Sequence, residues 1–333
     1  GWKPKRTMVF CSWDGEEEGL IGSTEWVEQH ESELAHSPAY FNVDVAVSGP
    51  KFGASAVPSL KQFLRDVTKV VPSPKGGTVY EAWEKANLPS APSTQSPTEA
   101  IGDSRRTPAA QVKNDVPVGD LGSGSDYTGF LQHLGVPSTD VSSTGSYGVY
   151  HSTFDDFAWF KKFGDPDFAY EQQMARVFGL EAVRMADADV LPYDYEEYGK
   201  EIDAYLETAR KRAEAKFGDR ALDFGPVTAA ARRFETAGAK ILAKQQNPPR
   251  DPARLNQALL NAERALIVPE GLPHRPWFRH AIYAPGEYTG YAAVVIPGVN
   301  EALDKGDSQR AREQLAVLTA ALDRAAKTLE AYK

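Results

Sequence analysis

The chain has 333 residues and a net charge of −9 at neutral pH, from 46 acidic against 37 basic side chains. That length buries a substantial core and usually makes more than one domain. The acidic balance, with no basic stripe, argues against a nucleic-acid surface. The single cysteine, Cys11, excludes disulfides within the chain, and no apolar run approaches membrane-spanning length.

In chain order, Gly1-Trp2-Lys3-Pro4 does not read as a signal peptide. The run Thr7–Trp13 (TMVFCSW) reads as a buried strand with Cys11 inside it. Directly after it comes the pentad Gly15-Glu16-Glu17-Glu18-Gly19. Three adjacent carboxylates repel one another, and a bound divalent cation removes that penalty. Open α/β sheets also place their active sites where strand ends deliver such groups. A solvated acidic turn would look the same in isolation, so residues further along must decide. Ser23-Thr24 offers an N-cap for a helix running toward Leu34. A second apolar run, Ala39–Asp44, ends on Asp44, and the segment Tyr147–Asp156 carries His151. Glu17, Asp44 and His151 form a carboxylate, carboxylate and imidazole set that suits zinc. No Gly-x-Ser-x-Gly elbow accompanies them, so a serine triad is not indicated.

Lys61–Val71 and Ser125–Leu134 read as helices, and the Pro-, Ser- and Thr-rich stretch between Val71 and Pro117 reads as a long surface excursion. From Tyr193 the pattern turns helical. Glu196–Phe217, Gly225–Gln246, Pro252–Ile267 and Ser308–Tyr332 carry apolar residues at three- and four-residue spacing, as in a bundle. The loop His280–Tyr291 interrupts them, and no internal repeat is visible. The fold class is therefore α/β: a mixed-sheet domain over residues 1–190, followed by an all-α helical domain over 191–333.

The order of strand with Glu-Glu, strand with Asp, and loop with Tyr-His is similar to the co-catalytic zinc peptidases of family M28. Gly1–Glu17 (GWKPKRTMVFCSWDGEE), Gly19–Trp26 (GLIGSTEW) and Gly271–Pro285 (GLPHRPWFRHAIYAP) resemble the glutamate carboxypeptidase II and transferrin receptor group within it. The resemblance runs over nearly the whole chain. It implies a zinc-dependent exopeptidase, a carboxypeptidase or dipeptidase, acting on peptides through a metal-activated water. Glu16 then corresponds to the general base, Glu17 and His151 to ligands of one zinc, and Asp44 to a ligand of the other. Tyr150 corresponds to a hydroxyl that steadies the tetrahedral intermediate. The helical bundle corresponds to a dimerisation domain, which implies a homodimer. The 280–291 loop corresponds to one that reaches back to the substrate pocket. Gly19, Leu20, Ser123, Gly124 and Tyr291 fall at substrate-binding positions. Glu25 and Glu28, three apart on one helix face, match two ligands of a structural calcium site. Tyr80–Trp83 matches an anchored segment of the family.

Departures from the family pattern are equally informative. The family's histidine and metal-bridging aspartate lie upstream of the Glu-Glu strand, and His30, His36, His133, His274 and His280 occupy other contexts. The expectation is a C-terminal portion of a larger enzyme whose N-terminal segment supplies that histidine and aspartate. Its expected setting is secreted, periplasmic or membrane-anchored. A lysine that grips a C-terminal glutamate in the family is replaced by Gly290, and a cationic patch aligns with Asp140 and Ser142. A preference for glutamate is accordingly not expected. Two rivals share the scaffold. One is a catalytically inactive transferrin receptor-like binding protein, against which Glu16, Glu17, Asp44 and His151 count. The other is an aminopeptidase, which the sequence does not separate from a carboxypeptidase.

Overall fold

The strand Ser138–Thr144 (β3, STDVSST), carrying β-branched Thr139, Val141 and Thr144, forms the centre of the sheet. The computed structural model describes residues 1–87, 115–219, 221–288 and 292–332. In it β3 pairs in parallel with Tyr40–Asn42 (β1) and antiparallel with Lys51–Ala56 (β2). The sheet is mixed, as the sequence suggests. Helix α3, Pro58–Thr68, covers it with a face that includes Leu60, Leu64 and Val67, all fully buried. Each of these contributes about 1.5–3 kcal/mol through burial. Pro58 opens the helix where its missing N–H has no intrahelical partner to lose. Ahead of α3 lie α1, Ile21–Gln29, and the single turn α2, Glu31–Leu34. Trp83, on α4 (Val79–Asn87), is buried edge-on against Phe52, so the Tyr80–Trp83 segment is anchored. Most of the surface excursion lies outside the described residues.

The run Thr7–Trp13 departs from expectation. It is extended but hydrogen-bonded to no strand, with Val9 66% and Phe10 80% exposed, and Cys11 is exposed rather than buried. Apolar composition signals a strand that wants a partner on its edge, and among the described residues none pairs with it. It is tethered at both ends instead. Arg6 donates to the carbonyls of Met185 and Ala188 at 3.0 and 2.6 Å, and Trp13 Nε1 donates to the Tyr40 hydroxyl at 3.0 Å. Between the tethers a cavity of about 560 Å³ separates Thr7–Cys11 from β1 and the face around Phe178 and Met185.

The helix expected from Ser23 starts earlier. Leu20 sits at its N-cap in the left-handed region (φ 61°), and the Ser23 hydroxyl donates to the Leu20 carbonyl instead of capping. The helix expected over Ser125–Leu134 is a short helical stretch ending in the π-helical turn Gly129–His133. The Ser125 hydroxyl accepts the Asn42 amide at 2.9 Å.

A short helix, α5 (Phe157–Trp159), and α6 (Ala169–Asp187), which lies against β1, β3 and α3, lead to the helical half. That half contains α7 (Tyr195–Phe217), α8 (Gly225–Gln246), α9 (Ala253–Arg264), α10 (Pro297–Lys305) and α11 (Ser308–Glu330). The four expected helices are present, and α10 is an addition. Asp194 and Asp307 cap α7 and α11 by accepting backbone N–H groups at 2.9 Å. Gly238 lets α8 approach the α7 backbone at Tyr195; a Cβ there would overlap it. The expected loop over 280–291 contains strand β4, Tyr283–Pro285, paired antiparallel with β5, Ala293–Val295.

The halves meet in a buried seam. Glu263 of α9 accepts from Tyr198 of α7 at 2.8 Å and from Ser59 of α3 at 3.3 Å. His280 Nδ1 accepts the backbone N–H groups of Ile282 and Tyr283, both at 3.2 Å. Its proton therefore sits on Nε2, which donates to Glu263 at 3.1 Å.

Candidate functional site

The acidic pentad is a compact turn. Gly15 adopts φ 66°, and the amides of Gly19 and Leu20 both donate to the Glu16 carbonyl, at 3.0 and 2.8 Å. Gly22 donates to the Asp14 carbonyl at 2.9 Å, an approach so close that a Cβ would not fit. The turn leaves Glu17 and Glu18 exposed and Glu16 half-buried. It lies beside the C-terminal ends of the two parallel strands. Asp44 stands two residues past the end of β1, and the Tyr147–His151 segment follows β3. This is the edge of an α/β sheet where sites assemble.

His151 Nε2 faces Glu17 Oε1 at 2.9 Å, and the Tyr150 ring stacks on the imidazole with centroids 3.8 Å apart. His151 holds φ 56°, an uncommon backbone conformation that clusters at functional positions. The Glu16 carboxyl is raised above its ordinary value, first by partial burial and then by the Asp44, Glu17 and Asp126 carboxylates, with His151 pulling the other way. The electrostatic neighbourhood therefore gathers Glu16, Glu17, Asp44, Asp126 and His151 in one place. Glu17 and His151 touch, and Asp44 acts on Glu16 and Asp126 through its charge. Among the described residues no three His, Cys, Asp or Glu side chains close around a single ion position. The donors present are one imidazole nitrogen and carboxylate oxygens, the set that zinc takes.

Asp126, which the sequence did not single out, adjoins Glu16 and Asp44. It is 8% exposed, its Oδ1 has no hydrogen-bond partner, and burial followed by the nearby Asp44 raises its carboxyl, against the stabilising Ser23 hydroxyl. Its signal was present in the sequence, as the acid closing Leu121–Asp126, next to the serine and glycines that drew attention instead. Asp140 turns inward on β3 and accepts the Asn42 amide at 2.9 Å; burial pushes its carboxyl up to about 6.

The remaining expected positions are scattered around this edge. Gly19 (φ 109°) and Leu20 form the exit of the acidic turn. Ser123 and Gly124 sit in the segment before Asp126, Gly124 exposed and its amide donating to the Tyr127 hydroxyl at 3.3 Å. Gly290 and Tyr291 lie outside the described residues. Glu25 and Glu28 are both exposed on α1, and Glu28 accepts Trp277 Nε1 at 2.6 Å, so the structure gives it an indole partner.

Comparison with known proteins gives two matches along the chain. Residues 1–162 match peptidase family M28, and residues 212–330 match the transferrin receptor-like dimerisation domain. The chain is 39% identical over 310 residues to the Arabidopsis thaliana protein named Probable glutamate carboxypeptidase LAMP1, covering 91% of this chain and 41% of the relative. It is 38% identical over 332 residues to Probable glutamate carboxypeptidase of Arthroderma benhamiae, covering 95% and 42%. It is 30% identical over 357 residues to Aminopeptidase NAALADL1 of Rattus norvegicus, covering 99% and 45%. The chain thus spans less than half the length of each of these relatives.

Proposed function

We propose, from the premise that residues 1–162 belong to peptidase family M28 and residues 212–330 to the transferrin receptor-like dimerisation domains, that this chain is part of a zinc-dependent exopeptidase. The observation that carries the reading is the Glu17–His151 pair at 2.9 Å, with Glu16 half-buried beside it among carboxylates. Glu17 and His151 would hold one zinc and Asp44 a second. Bound there, zinc supplies Lewis-acid polarisation of the scissile carbonyl and lowers the pKa of water. The chain's own groups do the rest. Glu16 takes the proton from the attacking water, a task for which a carboxylate raised toward neutrality is suited. The Tyr150 hydroxyl, carried next to His151, donates to the oxyanion. Ser123, Gly124, Gly19 and Leu20 would line the approach for the peptide, and the resemblance adds Tyr291 as a substrate contact.

Three ligands shared by two metals leave each short of the usual shell. A histidine and a bridging aspartate would come from polypeptide outside residues 1–333. The boundary between the peptidase and helical parts is placed near residue 190, between α6 and α7, and the helical part would form a homodimer. Glu25 and Glu28 are proposed as calcium ligands, which requires Glu28 to exchange the Trp277 indole for the ion.

A carboxypeptidase without strong glutamate preference is the favoured specificity, because Asp140 and Ser142 offer no cation. Losing a carboxylate-pairing cation weakens the acid's binding by roughly 2–5 kcal/mol. The similarity to a relative named as an aminopeptidase supports a second reading, in which the pocket holds the substrate's amino terminus. Hydrolysis of dipeptides blocked at one end or the other, by zinc-loaded enzyme containing these residues, separates the two. Cleavage of amino-blocked substrates ending in leucine at least as well as those ending in glutamate is expected. Cleavage only of substrates with a free amino terminus would favour the second reading, and no zinc-dependent cleavage of either would sink both.

A further inference from the structure

Ser123 and Gly124 belong to a segment that the helical half holds from behind. The segment enters from the sheet. Gly119 exchanges backbone hydrogen bonds with β2, donating to Ala54 at 2.9 Å and accepting from Ala56 at 3.0 Å. A side chain at Gly119 would run into Ser55, so the segment leaves the sheet from a fixed point.

Two sets of buried bonds then take hold of it. In the first, Asp120 Oδ1 accepts from Lys61 Nζ at 3.2 Å and from the Tyr205 hydroxyl at 2.9 Å, with the Tyr283 hydroxyl 3.5 Å away. Lys61 also donates to Glu201 Oε2 at 2.6 Å. The Tyr205 hydroxyl, whose single proton is taken by Asp120, lies 2.9 Å from Glu201 Oε2 and 3.0 Å from the Tyr283 hydroxyl. In the second, Gln132 Nε2 donates to the Gly122 carbonyl, while the backbone carbonyl of Gln132 accepts the backbone amides of Arg279 and His280 at 2.8 and 3.0 Å. Gln132 is fully buried.

Both sets end on the same stretch, residues 279–283. Tyr283 begins β4, which pairs with β5. The Gly122–Gly124 segment is therefore fastened to residues 279–283 through the seam. A buried pair of acids around one lysine adds little stability over apolar packing of equal volume. Its directional bonds instead fix where Asp120 stands.

We infer that Asp120 and Gln132 are positioning residues, which set the Gly122–Gly124 segment against residues 279–283, so that the helical half fixes the geometry of that wall of the cleft. The inference rests on the proposed reading in taking Ser123 and Gly124 as cleft residues.

The test is amide hydrogen exchange on the chain carrying Tyr205→Phe or Asp120→Asn, two near-isosteric changes, followed by KM and kcat on the zinc-loaded enzyme. Exchange at residues 121–125 should rise by about tenfold or more, with amides in α8 and α11 unchanged. KM should rise several-fold more than kcat falls. Unchanged exchange at 121–125, or an equal rise across α8 and α11, would overturn the inference. Raised exchange with unaltered KM would instead remove Ser123 and Gly124 from the cleft, a failure of the functional reading and not of the linkage.

Discussion

Two regions of this molecule set carboxylates around a nitrogen partner, in opposite surroundings. At the sheet edge Glu17 meets His151 at 2.9 Å, with the side chains 66% and 53% exposed. In the seam Glu201 meets Lys61 at 2.6 Å, with the side chains 3% and 1% exposed. Burial alone would pull the Lys61 ammonium down, but Asp120 and Glu201 outweigh it and hold the lysine above its ordinary value. The seam satisfies its charges with the chain's own groups. The edge leaves Asp126 Oδ1 without a partner and Glu16 crowded by the like charges of Asp44, Glu17 and Asp126. Arrangements that a fold does not need for stability, and that electrostatics disfavour, are what a metal and a substrate would complete.

This contrast makes its largest stability prediction in the seam. Lys61→Met strands buried Glu201 and removes a partner of half-buried Asp120, and should destabilise the chain by about 3–5 kcal/mol, read from chemical denaturation. Adding Glu201→Met to that variant should recover part of the loss. A Lys61→Met chain as stable as the parent would remove the distinction between the regions.

Next in size is a pH effect. Glu181 on α6 is fully buried, with Thr139 donating to one oxygen and the other unpartnered, and burial lifts its carboxyl to about 8. Between its unfolded value near 4.5 and that figure, the folded chain keeps a proton that the unfolded chain has released. Stability should therefore fall as pH rises from about 5 to 8, by up to ~1.4 kcal/mol per unit. Glu181→Gln should flatten the decline, leaving a shallower slope below pH 6 from Asp140, which is raised to about 6. An identical slope in both chains would contradict the assignment.

Gly238→Ala places a methyl against the α7 backbone at Tyr195 and should cost about 1–3 kcal/mol, lowering the thermal midpoint. At the small end, Glu17→Gln and His151→Asn should each change stability by no more than about 0.5 kcal/mol, because the pair is solvent-screened. A loss of several kcal/mol from either would show the edge to be structural.

The legibility of the chain follows the same division. The long helices of the second half declared themselves by apolar spacing. Glu16, Glu17, Asp44 and His151 drew attention by their places at or after apolar runs, and the structure brings Glu17 and His151 into contact. Thr7–Trp13 was misjudged because composition reports a tendency to be buried but not the presence of a partner strand. The α1 start was missed because a left-handed Leu20 and a glycine-rich turn, rather than a serine cap, begin that helix. Short elements were invisible for want of period: β4 and β5 have three residues each, and α10 opens on Pro297-Gly298, which reads as a turn. The seam ties are long-range, joining Lys61 to Glu201 and Ser59 to Glu263, and no local pattern announces them.

The most direct test of the account compares Glu16→Gln with Glu17→Gln in zinc-loaded enzyme containing these residues, measuring bound zinc and turnover on the same samples. Glu16→Gln should lower turnover by about a hundredfold to ten-thousandfold with zinc content unchanged. Glu17→Gln should lower zinc content together with turnover. Equal zinc loss from both, or full turnover in Glu16→Gln, would contradict the division between base and ligand.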